Sequence, residues 1–249
     1  MADVQVAGSA KVGSADLDQE HRLKPTAVFG LFETILPDTW AALAGTTRDD
    51  YFATHPARLV FSYLRVERLP ARLRLDELVR LHFTGEAGHY PGRDGTPRYG
   101  LRDHLVISGQ AGEALRWDAC VYWVRVDGGG AGGFLDAPAP ALRADQSQAL
   151  AAPPPRPPAG GDVVDRFHWT PRETDFNRHV YFQSYLERAE NALADFGGDP
   201  SLPATWELWF SRPAFLGETM EALVEEAGGT VVIALRRDDG TVCATIQAT

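Results

Sequence analysis

Cysteine is scarce in this sequence, with only Cys120 and Cys243 among 249 residues. Both lie inside apolar, strand-like segments, which predicts buried thiols and excludes a disulfide framework. A thiolate metal site is not expected either. The histidines of the first half also lack the spacing of metal ligands: His55, His82, His89 and His104. We therefore expect neither a metal site nor a cofactor.

The sequence also lacks an excess of positive charge. It has 24 Lys and Arg against 34 Asp and Glu, which gives a formal net charge of -10. Nucleic acid and anionic membrane surfaces both require clustered basic residues, so neither is an expected partner. No apolar run reaches the length of a membrane span, and residues 1–25 lack the charged and apolar parts of a signal peptide. We expect a cytoplasmic protein.

Two common catalytic motifs are missing. The absence of a Gly-x-Ser-x-Gly segment argues against the triad of an α/β-hydrolase. The glycine-rich run "DGGGAGG" is not followed by Lys-Ser or Lys-Thr and does not open a helix. A phosphate-binding loop is therefore not expected there.

Hydrophobic residues make up 44% of the chain, enough for a substantial core. Residues 1–24 are small and polar and predict a flexible segment, although "VQVAG" could form a short edge strand. From residue 27, "VFGLFETILPDTWAALAG" predicts one buried helix or two short ones, because Pro37 would kink or restart it. Four strand candidates follow as an antiparallel meander, between residues 58 and 126.

The order of elements then repeats. Residues 128–162 are rich in Gly, Ala and Pro, as in a linker. After them come a strand, a polar loop, an amphipathic helix over residues 181–196 and four further strand candidates. This order predicts an α+β fold in which a sheet wraps around a helix, duplicated in tandem over residues 25–127 and 163–249.

The loop before the second helix concentrates reactive side chains. In "ETDFNRHVYFQSYLERAE", residues 173–190, Asp175, Asn177 and His179 alternate just ahead of the helix. The N–H groups and positive dipole of a helix N-terminus can polarise a carbonyl such as that of a thioester. A carboxylate or imidazole beside it can activate water, or the carboxylate can itself attack. The alternative is structural, because Asp and Asn are also ordinary capping and turn residues.

This segment resembles the signature of hotdog-fold thioesterases of the 4-hydroxybenzoyl-CoA type. The matching residues are Asp175, Val180, Tyr181, Tyr185, Leu186 and Glu190. "DFNRHV" is also similar to the Asp-x-Asn-x-His motif of plant and bacterial acyl-ACP thioesterases, which are tandem double hotdogs. The resemblance implies a double-hotdog fold, in which a helix is wrapped by an antiparallel sheet in each half.

The resemblance also implies roles for individual residues. Asp175 corresponds to the catalytic carboxylate, Asn177 orients substrate or water, and His179 is a candidate general base. Val180, Tyr181 and Glu190 correspond to substrate-binding positions, although a helical Glu can equally belong to a solvated face. The first half has no such loop, so one active site per chain is implied.

Two departures from the family pattern concern the chemistry. Acyl-ACP thioesterases place a Glu on the strand after the helix, where this chain reads "SRPAF", with Pro213 or Ala214 near that position. Arg178 replaces a Gly of many thioesterases of the first type. "DFNRHVYFQSY" also resembles polyketide-associated double-hotdog proteins related to the leinamycin acyltransferase/decarboxylase, in which Tyr-Phe follows an Asp-x-Asn loop.

The implied function is hydrolysis of an acyl-CoA or acyl-carrier-protein thioester, in fatty-acid or polyketide metabolism. The alternatives are an acyltransferase, decarboxylase or dehydratase-like enzyme using the same thioester, and a non-catalytic acyl-binding protein that keeps the fold. The partner is the phosphopantetheine thioester of coenzyme A or of a carrier protein. A monomer or a homodimer is expected, because a tandem hotdog already contains the pairing that single hotdogs achieve by dimerising.

Overall fold

A computed structural model describes residues 3–92, 95–127, 130–135, 137–174 and 179–249. The chain divides into two compact units. The first comprises residues 1–62 and 68–153, and the second comprises residues 63–67 and 154–249. The boundary at Pro153 and Pro154 falls inside the segment predicted as a linker, and the predicted domain limits remain a prediction.

In the first unit, the second, third and fourth of the predicted strands pair antiparallel in chain order, as in the predicted meander, whereas the first, residues 57–68, lies next to the fourth instead of the second. The sheet order is β1, β3, β4, β5, with β2 next to β5 on one side and β6 also paired with β5. The bounds are Val4–Lys11 for β1, Ala57–Arg68 for β2, Leu78–Pro91 for β3, Pro97–Gly109 for β4, Gly112–Asp127 for β5 and Gly130–Phe134 for β6. Residues 57–62 and Arg68 of β2 belong to this unit.

The first 24 residues carry more structure than the sequence predicted. Strand β1 pairs along its whole length with β3, and Val4, Val6 and Ala10 of β1 are buried. This is the edge strand that the sequence left open as an alternative to a flexible segment. Only Val4, Val6 and Ala10 mark its buried face, so the pattern is too short and too weak to be decisive without the partner strand.

In the described part of the first unit there are three short α-helices, α1 (Ala27–Glu33), α2 (Leu36–Ala44) and α3 (Arg48–Thr54). Of the two predicted alternatives, the one with two short helices is correct for residues 27–44. Pro37 lies in the first turn of α2, where its missing N–H costs no hydrogen bond. Gly45 ends α2 in the left-handed region at φ 73°. The sequence analysis did not predict α3, which Thr47 caps by accepting a hydrogen bond from the Asp50 N–H at 3.1 Å.

As far as its residues are described, the second unit is an antiparallel sheet with one α-helix packed on it. The sheet order is residues 63–67 of β2, then β8, β11, β10, β9 and β7. The bounds are Asp162–His168 for β7, Thr205–Phe210 for β8, Thr219–Ala227 for β9, Thr230–Arg237 for β10 and Val242–Ala248 for β11. Helix α4, Phe182–Asp195, buries Tyr185, Leu186, Ala189 and Leu193.

Among the described residues, no single helix is long and apolar enough to span a membrane. Helices α1 and α2 are long and apolar enough for a span only when they are counted together, and the angle between them is 56°. The same residues include no cluster of three or more His, Cys, Asp or Glu side chains that could hold a metal ion.

Candidate active site before helix α4

The predicted site falls partly outside the described residues. Asp175 and Asn177, with Phe176 and Arg178 between and after them, belong to the part that the structure leaves undescribed. His179, Val180, Tyr181 and Glu190 are described. The described part of the site consists of the residues on either side of residues 175–178.

Both flanks of residues 175–178 are anchored by backbone hydrogen bonds. Thr174 and Val180 form an antiparallel bridge. The Val180 N–H donates to the Ala214 carbonyl at 3.0 Å, and the Tyr181 N–H donates to the Glu173 carbonyl at 2.9 Å. The segment that carries Asp175 and Asn177 thus begins and ends at fixed points of the second unit.

His179 packs against the segment that follows β8. It forms a backbone bridge with Phe215, and the two rings meet edge to face at a centroid distance of 4.8 Å. The side chain is half-buried. This contact holds the imidazole at the edge of the loop, two residues before the N-cap of α4.

The N-terminus of α4 follows directly. Tyr181 is the N-cap residue in extended conformation, and its side chain makes no capping hydrogen bond. Its ring is 47% exposed, whereas Val180 is half-buried. Tyr181 therefore leaves the N–H groups of the first turn and the positive end of the helix dipole without a side-chain cap of its own.

Glu173 links the loop to the helix. One carboxylate oxygen accepts hydrogen bonds from the Thr170 N–H at 2.9 Å and the Thr170 hydroxyl at 2.6 Å. The other pairs with the Arg188 guanidinium, at 2.8 Å from Nε and 2.7 Å from Nη2. Burial of the Glu173 carboxyl raises its pKa, but the hydrogen bonds from Thr170 and the charge of Arg188 outweigh that effect and lower the pKa overall.

Arg188 is itself held in place by aromatic rings. Its guanidinium carbon lies 4.3 Å from the centroid of the Phe167 ring and 5.8 Å from that of Trp169. A cation over an aromatic face is stabilised by the ring quadrupole. Strand β7, the loop and α4 are therefore joined through one ion pair.

Tyr185 of α4 contacts the segment that follows β8. Its buried hydroxyl accepts a hydrogen bond from the Ala214 N–H at 3.0 Å. Burial raises the pKa of Tyr185, so the phenol is neutral. Ala214 is fully buried and Pro213 is exposed, and neither can supply the carboxylate that acyl-ACP thioesterases carry near this position.

Glu190 lies apart from the other predicted residues. It is half-buried on α4, eight residues after the first residue of the helix, or about 12 Å along the axis. The structure thus brings His179, Val180 and Tyr181 together at the helix N-terminus and leaves Glu190 about two turns away. The predicted role of Glu190 in substrate binding stays a prediction.

The sequence analysis missed Glu173 as a framework residue. A signal was present, because "TPRE" has the Thr-x-x-Glu spacing of a capping box. Here it closes the 3-10 turn Pro171–Glu173 that opens the loop. The partner Arg188, fifteen positions later on the helix, has no such local signal.

Comparisons with solved structures identify the fold. An acyl-ACP thioesterase from Bacteroides thetaiotaomicron aligns with a TM-score of 0.72 at 10% identity, over 98% of this chain and 96% of that one. The 12:0-ACP thioesterase from Umbellularia californica aligns with a TM-score of 0.69 at 12% identity, over 98% and 93%. A MaoC-like dehydratase from Phytophthora capsici aligns with a TM-score of 0.65 at 15% identity, over 99% and 95%.

These alignments confirm the predicted fold class, a tandem hotdog of the α+β type. No protein-family model matches the chain, and no curated protein matches it by sequence. Identities of 10–15% establish the fold alone. The activity has to be argued from the residues of the site.

Proposed function

We propose that the chain hydrolyses an acyl thioester carried by coenzyme A or by the phosphopantetheine arm of an acyl carrier protein. The observation that supports this most directly is the anchoring of the two flanks of residues 175–178, through the bridge between Thr174 and Val180 just before α4. A loop that carries Asp, Asn and His is thereby tied to a helix end that favours negative charge.

The proposed chemistry uses that positive end. When water attacks the thioester carbonyl, negative charge develops on the carbonyl oxygen, and the dipole of α4 stabilises it without reorganising. Asp175 takes the proton of the attacking water, or attacks the carbonyl itself, and Asn177 orients substrate or water. His179 is the second candidate base. Collapse of the adduct breaks the carbon–sulfur bond, and the products are a carboxylic acid and the free thiol.

Val180 and Tyr181 lie beside this centre and are proposed to contact the substrate. The exposed ring of Tyr181 offers an apolar surface at the N-cap of the helix. Glu190 belongs to the proposed substrate-binding set on the strength of the family resemblance. Two of the similar structures are named as acyl-ACP thioesterases, which favours a carrier-bound acyl group as the substrate.

A second candidate is a reaction on the same thioester without hydrolysis. The Pro213–Ala214 position lacks a carboxylate, and Ala214 is instead fixed by Tyr185. One of the similar structures is named a MaoC-like dehydratase. Dehydration, acyl transfer or decarboxylation would therefore be the alternative, and polyketide metabolism is then the proposed setting beside fatty-acid metabolism.

The setting of the enzyme is part of the proposal. We place the protein in the cytoplasm as a monomer or a homodimer, with residues 163–249 carrying the active site and residues 25–127 completing the tandem fold. The proposed reaction needs no cofactor, because hydrolysis of a thioester requires only water and acid–base groups.

The test is thiol release from a panel of acyl-CoA and acyl-carrier-protein thioesters. Wild type should release thiol, and Asp175→Asn should lower kcat by at least about a hundredfold, the usual loss for an acid–base group. His179→Ala should also be slower. Asp195→Asn, a change of an exposed residue at the other end of α4, is the matched control. Failure of wild type to release thiol from every thioester would reject hydrolysis, and mass spectrometry of the acyl products would then test the second candidate.

A further inference from the structure

The residues just before α4 rest on a short segment between β8 and β9, residues 213–218, which we call the support segment. Its Phe215 forms a backbone bridge with His179, and the Ala214 carbonyl accepts a hydrogen bond from the Val180 N–H at 3.0 Å. The Phe215 ring adds the edge-to-face contact with the imidazole. The position of the imidazole therefore depends on the groups that hold the support segment.

A tight turn fixes the second half of the support segment. The Glu218 N–H donates to the Phe215 carbonyl at 3.1 Å, and the Glu218 carboxylate accepts from the Phe215 N–H at 2.9 Å. Between them, Gly217 has φ 83°, which glycine adopts without strain, and its N–H donates to the Trp169 carbonyl at 3.0 Å. The main chain of Phe215 is thus tied to the Glu218 carboxylate, one contact away from His179.

Arg237 holds both ends of the support segment. It is the last residue of β10, where its N–H donates to the Thr241 carbonyl at 2.9 Å. Its Nε donates to the Glu218 carboxylate at 3.1 Å, and its Nη2 donates to the Pro213 carbonyl. The side chains of Arg237 and Glu218 are 21% and 28% exposed. Because a guanidinium presents its donors in a rigid plane, one side chain connects the first and last residues of the segment.

The neighbouring arginine has a different partner. Arg236 precedes Arg237 on β10, so the two side chains point to opposite faces of the sheet. Arg236 pairs with Glu221 of β9 at 2.6 Å, and its side chain is 33% exposed. No hydrogen bond or ion pair of the described residues joins its side chain to residues 213–218. The two arginines thus have the same charge and comparable exposure, but only Arg237 holds the support segment.

We propose that Arg237 and Glu218 are positioning residues, which fix the His179 imidazole ahead of α4 through the support segment. They act without touching the substrate. Their effect on catalysis rests on the proposed hydrolysis, in which His179 is the second candidate base, whereas their effect on the position of the imidazole does not. A base must lie within hydrogen-bond reach of the proton that it takes, and a displacement of about 1 Å can cost about a hundredfold in rate.

Thiol release by the full-length protein tests the effect on catalysis. Arg237→Met should lower kcat about tenfold with KM little changed, because a displaced base weakens the transition state more than substrate binding. In a His179→Ala background the same change should have no further effect, since Arg237 acts through the imidazole. Glu218→Gln keeps an oxygen for the Phe215 N–H and should cause a smaller loss, and Arg236→Met is the matched control at wild-type kcat. Equal losses from Arg237→Met with and without His179 would overturn the proposal.

NMR of the full-length protein, labelled at His and Phe, measures the position of the imidazole separately. Nuclear Overhauser effects between the His179 and Phe215 rings should be present in wild type and Arg236→Met and weakened in Arg237→Met. Urea denaturation checks that each variant is folded, and Glu218→Gln replaces Arg237→Met if the latter does not fold. Unchanged effects in the folded variants would overturn the proposal. If wild type releases no thiol from any thioester, the proposed hydrolysis fails, and the NMR comparison still decides whether Arg237 and Glu218 position the imidazole.

Discussion

Two carboxylic acids in this chain have the same chemistry and pKa shifts in opposite directions. Glu173 accepts hydrogen bonds from Thr170 and pairs with Arg188, so its pKa is lowered despite burial. Asp103 is buried with no donor at Oδ1 among the described residues, so its pKa is raised to about 7. Hydrogen-bond donors and charged partners, more than burial, decide whether the folded state prefers the ionised or the protonated carboxyl.

The raised pKa of Asp103 makes the stability of the protein depend on pH. An Asp in the unfolded chain ionises near pH 4, whereas folded Asp103 stays protonated up to about pH 7. Between these values the folded state binds more protons, so stability falls as pH rises, by a few kcal/mol at most. Asp103→Asn removes the titration. The variant should be more stable than wild type at pH 8, and the difference should shrink towards pH 4.5.

Urea denaturation of both proteins across this range measures the effect. Asp195→Asn, at an exposed position, should follow wild type at every pH. A stability difference between Asp103→Asn and wild type that stayed constant from pH 4.5 to 8 would show that Asp103 does not titrate in this window.

At the scale of elements, α4 is joined to the start of the loop before it by an ion pair and by hydrogen bonds. The Thr170–Glu173 turn opens the loop, and Arg188 on the second turn of α4 reaches back to Glu173. Ser184 adds a hydrogen bond from its hydroxyl to the Glu173 carbonyl at 3.3 Å. Glu173 thus links the start of the loop to α4, while Val180 anchors the end of the loop through its hydrogen bond to the Ala214 carbonyl.

A double-mutant cycle with Glu173→Gln and Arg188→Met should reveal this coupling. The two side chains are 15% and 22% exposed, so water screens the ion pair only in part. We expect a coupling free energy of about 1 kcal/mol at pH 7 from urea denaturation. Because the pKa of Glu173 is lowered, the coupling should persist above the pKa of an unfolded Glu and disappear as pH falls through the folded pKa.

Lys11 and Asp76 provide the matched control pair. They form an ion pair at 3.0 Å in the first unit, but their side chains are 65% and 66% exposed. The cycle with Lys11→Met and Asp76→Asn should therefore give a coupling close to zero. Equal coupling in the two cycles would mean that Glu173 and Arg188 contribute no more than a surface pair.

At the scale of the whole molecule, the tandem order of helices and strands could be predicted because most elements have a hydrophobic pattern of their own. Helix α4 has an apolar stripe, and β3, β4 and β5 have long apolar alternations. Strand β1 and helix α3 lack such signals and depend on their packing partners. Asp103 could have been noticed, since it interrupts the alternation Leu101, Leu105, Ile107. The assignment of residues 63–67 to the second unit could not have been predicted, because pairing between distant segments is not visible in local periodicity.

That assignment bears on whether the predicted C-terminal domain can exist alone. Residues 63–67 pair with β8, with Leu64 opposite Leu208 and Val66 opposite Trp206, and all four side chains are buried. Burying Leu64 and Val66 is worth about 1.5–3 kcal/mol each, a large share of the usual 5–15 kcal/mol of a domain. A fragment of residues 154–249 loses this strand and exposes one edge of β8.

We therefore expect the 154–249 fragment to aggregate or to unfold without cooperativity, because an unpaired apolar edge strand invites pairing with other chains. The control is the same fragment with residues 57–68 attached through a flexible linker, which restores the strand and should unfold cooperatively. Size-exclusion chromatography and urea denaturation followed by tryptophan fluorescence compare the two. Cooperative unfolding of the bare fragment as a monomer, with the stability of the extended one, would mean that residues 63–67 add nothing to the fold of the second unit. In that case β8 would be a tolerated edge, and residues 154–249 would fold independently without the strand from β2.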